Sequence, residues 1–493
     1  MVLPIPRYLR DLLRPKSLSQ LSLLASVCGL ISTVAAVVPI EVQGSQFVNP
    51  KTNARFQMIG VDYQPGGSSG YKPASKSDVL SEADVCLRDA ILLQRLGVNT
   101  IRIYNVNPAL NHDECMSIYN AAGIYVILDV NTGEPLEHID RTAPWTTYHK
   151  EYLGRLFHMI EAFKDYPNLL GFFGGNEIIN EDAAENAAMY IRAIQRDMKD
   201  YIAKHASRKI PVGYSAADIR EWLVDTWNYV SCELPSEPSS ASDFFGLNSY
   251  SWCGDSSYKK AGYDKLVEIF SNASSPVFFS EYGCNEVKPR IFTEVQALYG
   301  DEMTAAMCGG LIYEYSQEKN QYGLVEIADD KVTLLVDYEN LMQQHNKLDI
   351  KKLQSLDPTT TTVKPPQCKS SLITSKGFYK KFELPKRPEG GDDMIKNGVK
   401  NPNNGKIVEV KNTKLDSEVV DQDGNVLENL ELKVLEDDAA NVPGENTSGS
   451  TGGKGGDNGG DKKGDGKKSG AGMNFVTSPF TYLAAALSVF LMA

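Results

Sequence analysis

Eight short apolar segments constrain the fold of this chain more than any other feature. They cover residues 56–64, 99–106, 125–131, 169–177, 210–217, 243–250, 276–283 and 309–316. Strands that alternate with helices form parallel sheets, and eight such units in succession favour an α/β fold that closes as a (β/α)8 TIM barrel. The alternative, a doubly wound open sheet, lacks its usual support because no GxGxxG turn follows the first segment.

Helical patterns lie between several of these segments. Residues 81–96 are predicted to form a helix that begins with a capping box of Ser81 and Asp84 and ends at Gly97. Residues 111–122 and 151–163 show similar helical spacing. We therefore assign residues 37–355 to the barrel.

Composition changes after the barrel. Residues 356–440 begin with a Thr/Pro-rich connection and then alternate polar and apolar positions, with a turn at Asp423 and Gly424. We expect a small β appendage packed on the barrel. Residues 441–470 are rich in Gly, Ser, Lys and Asp, which cannot bury a core, so they are predicted to form a disordered stalk.

Both ends of the chain carry processing signals. Basic residues precede an uncharged apolar run that ends in small residues at 34–36, so residues 1–36 read as a cleaved signal peptide; the alternative is an anchor that stays in the membrane. Residues 471–493 read as a GPI-anchor signal, with attachment at Gly470, or at Ser469 or Ala471. These signals predict a secreted protein held on the outer face of the plasma membrane.

Charge and composition exclude several classes of partner. The net charge of −13 argues against nucleic acid, whose phosphates require a basic surface, and it is compatible with a neutral polymer. The chain has six histidines and no cluster with the spacing of metal ligands, so neither a metal nor a cofactor is predicted. We expect a monomer, with N-glycans at Asn272 and Asn446.

Two glutamates close apolar segments. Glu177 ends the fourth in GFFGGNEIIN, and Glu281 ends the seventh in PVFFSEYGCN. The carboxyl ends of barrel strands form the active-site face, and a retaining glycosidase needs two carboxyl groups about 5–5.5 Å apart. Asn176 can bind the sugar 2-OH, which favours Glu177 as acid/base and leaves Glu281 as nucleophile. One such glutamate alone would more often be a surface residue; the pair favours catalysis.

With these motifs, the chain resembles the fungal β-1,3-glucanosyltransferases of glycoside hydrolase family 72. The resemblance covers roughly residues 40–370, through GVDYQPGG, NTIRIYNVNP, LDVN, GFFGGNEIIN, GLNSYSWCG, FFSEYGCN and GGLIYEYSQE. It implies that an internal β-1,3-glucan bond is cleaved with retention and that the new reducing end passes to the non-reducing end of another glucan chain. Since only Cys368 lies beyond residue 308, the chain matches the members that lack a cysteine-rich carbohydrate-binding module.

The resemblance also implies further groove residues at the strand ends. These are Asp62, Gln64, Tyr104, Asp129, Tyr250, Tyr313 and Tyr322. Tyrosine suits sugar because its ring packs on C–H faces and its hydroxyl forms hydrogen bonds. Core packing is the alternative for each tyrosine, and a structural hydrogen-bond acceptor is the alternative for Asp129. Either Tyr250 or Tyr282 could contact the nucleophile.

Seven cysteines remain once Cys28 leaves with the signal peptide. Cys86 and Cys115 lie on neighbouring predicted helices, and Cys253 and Cys284 follow neighbouring strands. A bridge between Cys232 and Cys368 could tie the following segment to the barrel. These three pairs match the family. Cys308 is predicted to be a buried free thiol.

Two other functions compete with glucan transfer. An endo-β-1,3-glucanase would form the same covalent intermediate and would resolve it with water, so spacing alone does not separate the two. A non-catalytic glucan-binding wall protein should have lost one carboxylate, and both are present.

Overall fold

The computed structural model describes residues 37–181, 184, 186–329, 331–358 and 363–444. The predicted signal peptide, the GPI-anchor signal, Asn446 and most of the predicted stalk lie outside the described residues. Within the described ranges, no helix combines the length and the apolar character that crossing a bilayer requires.

Eight parallel strands close into a barrel in chain order. They are β1 Met58–Asp62, β2 Thr100–Ile103, β3 Tyr125–Asp129, β4 Leu169–Asn176, β5 Val212–Ala217, β6 Phe245–Asn248, β7 Val277–Tyr282 and β8 Gly309–Ile312. Closure is made by β8 and β1, where Gly309 pairs with Met58. The fold class and all eight predicted strands are confirmed. Every strand is buried on both faces, which explains why the segments are apolar throughout.

Helices surround the barrel and cover its sides. They span Ala83–Arg95, Asp113–Ala121, Pro144–Thr147, Lys150–Phe163, Ala187–His205, Leu223–Ser231, Tyr263–Phe270, Glu294–Leu298, Asp301–Thr304, Val336–His345, Ile350–Gln354 and Gly391–Asn397. The three predicted helices are present, but the capping box at Ser81 is wrong. The Ser81 hydroxyl accepts from the Asp78 amide at 2.7 Å and donates to the Asp78 carbonyl at 2.9 Å, so it stabilises the preceding turn. Glu82 is the N-cap residue instead.

A small antiparallel sheet precedes the barrel and was not predicted. Its strands are Glu41–Gln43, Gln46–Asn49 and Ala54–Arg55. Phe47 in this sheet packs against Phe244 and Phe278, with ring centroids 6.0 and 5.9 Å apart, near the amino-terminal ends of β6 and β7. An apolar cluster that includes Phe47, Phe244 and Phe278 fills this end of the barrel, and the opposite end carries the two glutamates.

The segment after the barrel forms less regular structure than predicted. The hairpin Val325–Ala328 and Lys331–Leu334 gains one further strand, Glu418–Val420, which pairs with it in parallel. The turn at Asp423 and Gly424 is present, because the Asp421 carboxylate accepts from the backbone amides of Asp423 and Asn425. Among the described residues around this turn, the pairing continues only as the isolated bridges Val420–Val426 and Lys414–Glu431.

Those contacts extend beyond residue 440. Asn441 is buried, and its side-chain amide donates to the backbone carbonyls of Gln94 and Val98 at 3.0 and 2.9 Å. Val442 is also buried. The packed chain therefore continues past residue 441, where the sequence predicts that the stalk begins.

Three disulfides join elements of the barrel and its appendage. They pair Cys86 with Cys115, Cys232 with Cys368, and Cys253 with Cys284, at Cα–Cα separations of 5.3, 5.0 and 5.1 Å. These are the three pairs expected from the sequence. Cys308 is free and buried, also as expected.

Two of these bridges should have separable effects. Cys232→Ser with Cys368→Ser opens a loop of 136 residues and should reduce the free energy of unfolding by about 2–5 kcal/mol while leaving activity intact. Cys253→Ser with Cys284→Ser should reduce both the free energy of unfolding and the activity, because Cys284 closely follows Glu281 on the active-site face. Denaturant unfolding and a rate assay on both proteins test this. Equal loss of activity in the two variants would contradict it.

Candidate active site

Glu177 directly follows β4 in a strained backbone conformation. Its φ angle of 50° lies in the left-handed region, which costs a non-glycine residue roughly 1–2 kcal/mol. Its backbone N–H donates to the Ser215 carbonyl oxygen at 2.8 Å, which holds this turn against β5. The strain is concentrated at the residue whose carboxyl group faces β6.

Asn248, at the end of β6, fixes that carboxyl group. Its amide nitrogen donates to Glu177 Oε1 at 2.8 Å and to Asn176 Oδ1 at 3.1 Å. Its own oxygen accepts from the hydroxyls of Ser215 and Ser280, at 3.1 and 2.8 Å, which settles the orientation of the amide. Asn248 lies within the motif GLNSYSWCG but was not predicted as a site residue. Its position at a strand end was the available signal.

The surroundings of Glu177 favour its protonated form. Burial raises the pKa of the Glu177 carboxyl above its usual range, and the negative charge of Glu281 raises it further. The hydrogen bond from Asn248 and the charges of Arg102 and Arg141 oppose this shift without cancelling it. Glu177 therefore keeps its proton to a higher pH than an exposed glutamate does.

Glu281 has the opposite kind of environment. Oε1 accepts from the Tyr104 hydroxyl at 2.8 Å and from Arg102 Nη1 at 3.2 Å, and Oε2 accepts from the Tyr250 hydroxyl at 2.7 Å. Three donors on one carboxylate orient it and stabilise its negative charge. Of the two tyrosines left open by the sequence, Tyr250 makes the contact; Tyr282 is the next residue along the strand and points to the opposite face.

A buried arginine on β2 joins these residues. Arg102 Nε donates to Asp129 Oδ2 at 2.9 Å, and Asp129 thus acts as the structural acceptor that the sequence left as one of two alternatives. The guanidinium also lies over the rings of Tyr104 and Phe173, 4.5 Å from each centroid. Arg102 was not predicted as a site residue. An arginine inside an otherwise apolar strand was the signal that could have found it.

Four half-buried tyrosines line the mouth next to Glu281. This tyrosine cluster consists of Tyr104, Tyr250, Tyr313 and Tyr322. Tyr313 meets Tyr322, Tyr250 and Tyr104 edge to face, with centroids 5.2, 6.3 and 6.4 Å apart. The rings thus form one continuous aromatic wall whose remaining faces are open to a ligand.

Arg290 holds the backbone of this wall and was also missed from the sequence. It is 2% exposed and donates to the carbonyl oxygens of Tyr313 and Tyr322 at 2.7 and 2.5 Å. Asp337 pairs with it at 2.6 Å. One charged side chain thereby sets the relative position of two segments that follow β8.

The two remaining predicted groove residues are buried at the end of β1. Gln64 Oε1 accepts from the backbone amides of Tyr104 and Asn105, at 3.2 and 2.9 Å, and so positions the end of β2. Asp62 is fully buried, and neither of its carboxyl oxygens has a hydrogen-bond partner among the described residues. Burial raises the pKa of Asp62 well above its usual range, although the charge of Arg102 opposes the shift.

Side chains that could ligate a metal lie together at one place among the described residues. One group of three side chains comes together there, made of Cys253, Cys284 and Glu286. Its two sulfur atoms form a disulfide, so neither is available as a thiolate ligand.

This combination of fold and site defines a class of protein. A (β/α)8 barrel with one carboxyl whose pKa is raised, one carboxyl held by three donors and an aromatic wall beside them is typical of enzymes that cleave or transfer glycosidic bonds.

Comparisons with known proteins identify the family within this class. The family model described as glucanosyltransferase matches residues 30–349, and the chain belongs to this family. The chain is 59% identical over 467 residues to 1,3-beta-glucanosyltransferase gel2 of Aspergillus fumigatus, covering 94% of this chain and 97% of that one. It is 46% identical over 413 residues to the probable 1,3-beta-glucanosyltransferase GAS3 of Saccharomyces cerevisiae, covering 79% and 78%.

Solved structures agree with this assignment. A glutamate-to-glutamine mutant of Saccharomyces cerevisiae Gas2p in complex with laminaritetraose and laminaripentaose is 36% identical to this chain. The two superimpose with a TM-score of 0.62, and the match covers 72% of this chain and 75% of that one. The family resemblance stated from the motifs is confirmed.

Removing one of the two tyrosine hydroxyls that donate to Glu281 should sharply reduce turnover of laminari-oligosaccharides. Tyr104→Phe and Tyr250→Phe each remove a hydrogen bond to a charged group, and we expect kcat/KM to fall about ten- to hundredfold in each variant. Tyr315→Phe is the matched control, because the Tyr315 hydroxyl donates to a different buried carboxylate, Asp89, at 2.7 Å. Initial rates on one oligosaccharide measure this. A control that loses as much activity as the other two would contradict the assignment.

Proposed function

We propose that this chain cleaves an internal bond of β-1,3-glucan by a retaining double displacement and transfers the new reducing end to the non-reducing end of another β-1,3-glucan chain. The observation that carries the proposal is the unequal environment of Glu177 and Glu281. Family membership supports the transfer reaction, and the laminari-oligosaccharides bound to Gas2p support the substrate.

In the first step, Glu281 is the nucleophile. Its carboxylate attacks the anomeric carbon and forms a glycosyl ester, while the bond from that carbon to the departing oxygen breaks. Glu177 donates its proton to this oxygen. The raised pKa of Glu177 favours the protonated form that this step needs. The hydrogen bonds from Arg102, Tyr104 and Tyr250 hold the Glu281 carboxylate for the attack.

In the second step, Glu177 is the base. It takes the proton from an acceptor hydroxyl, whose oxygen attacks the anomeric carbon and releases Glu281. Burial is the larger cause of the raised pKa of Glu177, and the charge of Glu281 adds to it; once Glu281 is esterified that charge is gone, so its contribution is removed. The change in charge on one residue therefore prepares the other for its second role.

Residues around the carboxyl pair would hold the sugar. Because Asn248 occupies the Asn176 carbonyl oxygen, the Asn176 amide nitrogen is the group that would donate to the sugar 2-OH. The tyrosine cluster would pack on the C–H faces of the glucose rings. Gln64 and Asp129 act through Tyr104 and Arg102 rather than by touching substrate.

The location of the protein is part of the proposal. We assign residues 1–36 to a signal peptide, 37–355 to the catalytic barrel, 356–440 with the packed residues 441 and 442 to its appendage, the chain from there to residue 470 to a stalk, and 471–493 to a GPI-anchor signal. The mature protein would be a monomeric, secreted glycoprotein with no nucleic-acid partner. It would lie on the outer face of the plasma membrane and in the cell wall. Three disulfides support an oxidising compartment, and the exposure of Asn272 suits a glycan.

Product length distinguishes transfer from hydrolysis. The purified protein should convert a reduced laminari-oligosaccharide at millimolar concentration into products longer than the starting chain, because a sugar hydroxyl resolves the glycosyl ester. Mass spectrometry of the products measures this, and Glu281→Gln is the inactive control. If only shorter products appear, water resolves the intermediate and the protein is an endo-β-1,3-glucanase. If nothing is cleaved, it is a glucan-binding wall protein.

A further inference from the structure

Trp145 differs from the other tryptophans of this chain. It is 60% exposed, whereas Trp222, Trp227 and Trp252 are 9%, 9% and 7% exposed. An indole is one of the largest apolar surfaces that a side chain can offer, so its exposure leaves a flat face open to a ligand. Flat aromatic faces pack on the C–H faces of sugars, as the tyrosine cluster would.

The segment that carries Trp145 borders the active-site face. Residues 130–149 connect β3 to the helix Lys150–Phe163 and therefore lie at the carboxyl end of β3, as Glu177 lies at the end of β4. The segment contacts the region after β4 through Arg141, whose guanidinium lies 3.4 Å from the Glu181 carboxylate. The positive charge of Arg141 is near enough to the Glu177 carboxyl to oppose part of the rise in its pKa.

The backbone around Trp145 is held in place before any ligand binds. The Asp140 carboxylate accepts from the amides of Thr142 and Ala143, at 2.8 and 3.1 Å. The Asp140 amide donates to the Thr147 hydroxyl at 2.9 Å, which closes the turn around the short helix Pro144–Thr147. A ligand that stacks on Trp145 would therefore pay little conformational entropy.

The mouth of the barrel has two sides, one at Glu281 with the tyrosine cluster and one at Glu177 with Arg141. Tyr104 and Tyr250 of the cluster donate to Glu281, whereas Arg141 of the Trp145 segment pairs with Glu181, four residues after Glu177, and its charge acts on the Glu177 carboxyl. In the proposed function Glu177 protonates the departing oxygen, so the glucan chain attached to that oxygen leaves on the Glu177 side. The same side must admit the acceptor.

We propose that Trp145 is an outer stacking site for β-1,3-glucan, beyond the scissile bond on the Glu177 side, which binds the departing chain and then the acceptor chain. This site rests on the proposed function and adds a residue that the tyrosine cluster does not include. It touches sugar remote from the reacting atoms, so it should contribute to binding and not to the chemical step.

Tryptophan fluorescence tests this directly. Laminarihexaose is titrated into the Glu281→Gln protein, which cannot consume it. We expect a blue shift as sugar covers the indole, and we expect this shift to be absent when Trp145→Phe is added, since the other three tryptophans are buried. Calorimetry on the same proteins should show Kd about five- to tenfold weaker with Trp145→Ala and a smaller change with Trp145→Phe, which keeps an aromatic face.

Kinetics with Glu281 intact completes the test. Trp145→Ala should raise KM for laminarihexaose by a similar factor and leave kcat unchanged. If Trp145→Ala leaves both Kd and KM unchanged and no fluorescence shift occurs, the stacking site is wrong while the proposed function stands. If laminarihexaose binds to no variant and is not processed by the parent protein, the proposed function falls, and the stacking site falls with it.

Discussion

The buried guanidinium of Arg102 is the interaction on which the site depends. A charge with no exposed surface is stable only when it is paired and hydrogen-bonded, and Arg102 finds both in Asp129 and Glu281. These contacts connect β2 to β3 and to β7 across the barrel interior. The rings of Tyr104 and Phe173 on its faces complete the enclosure. The position of Glu281 is therefore a consequence of how the barrel interior satisfies one cation.

The charge balance around Arg102 explains why the two glutamates differ. One guanidinium serves Asp129 and Glu281, while Glu177 lies further out and has a neutral amide, that of Asn248, as its nearest donor. Burial and the negative charge of Glu281 then raise the pKa of Glu177. Two chemically identical side chains thus lie in different surroundings: burial and a neighbouring charge raise the pKa of Glu177, while Glu281 accepts hydrogen bonds from Arg102, Tyr104 and Tyr250.

Sequence reasoning found the strands and both glutamates because these depend on local pattern. Apolar segments of strand length identify buried parallel strands, and strand ends locate the active-site face. It missed Arg102, Asn248 and Arg290, whose partners come from distant segments: Arg290 contacts the carbonyl oxygens of Tyr313 and Tyr322 and the carboxylate of Asp337. The capping box failed for a similar reason, since Ser81 had a competing partner in Asp78. The appendage has fewer strands than expected because its backbone amides pair with side chains of the barrel, as those of Val408 and Lys433 do with Ser117 and Gln94.

The division of roles between Glu177 and Glu281 is the central claim, and trapping the covalent intermediate tests it most directly. An activated β-glucan donor, whose leaving group needs no protonation, is incubated with Glu177→Gln and with Glu281→Gln, and each protein is weighed intact by mass spectrometry. We predict a glycosyl adduct on the Glu177→Gln protein, which can form the ester but cannot deprotonate an acceptor, and none on the Glu281→Gln protein. An adduct on Glu281→Gln alone would reverse the two roles, and no adduct on either protein would contradict the retaining mechanism.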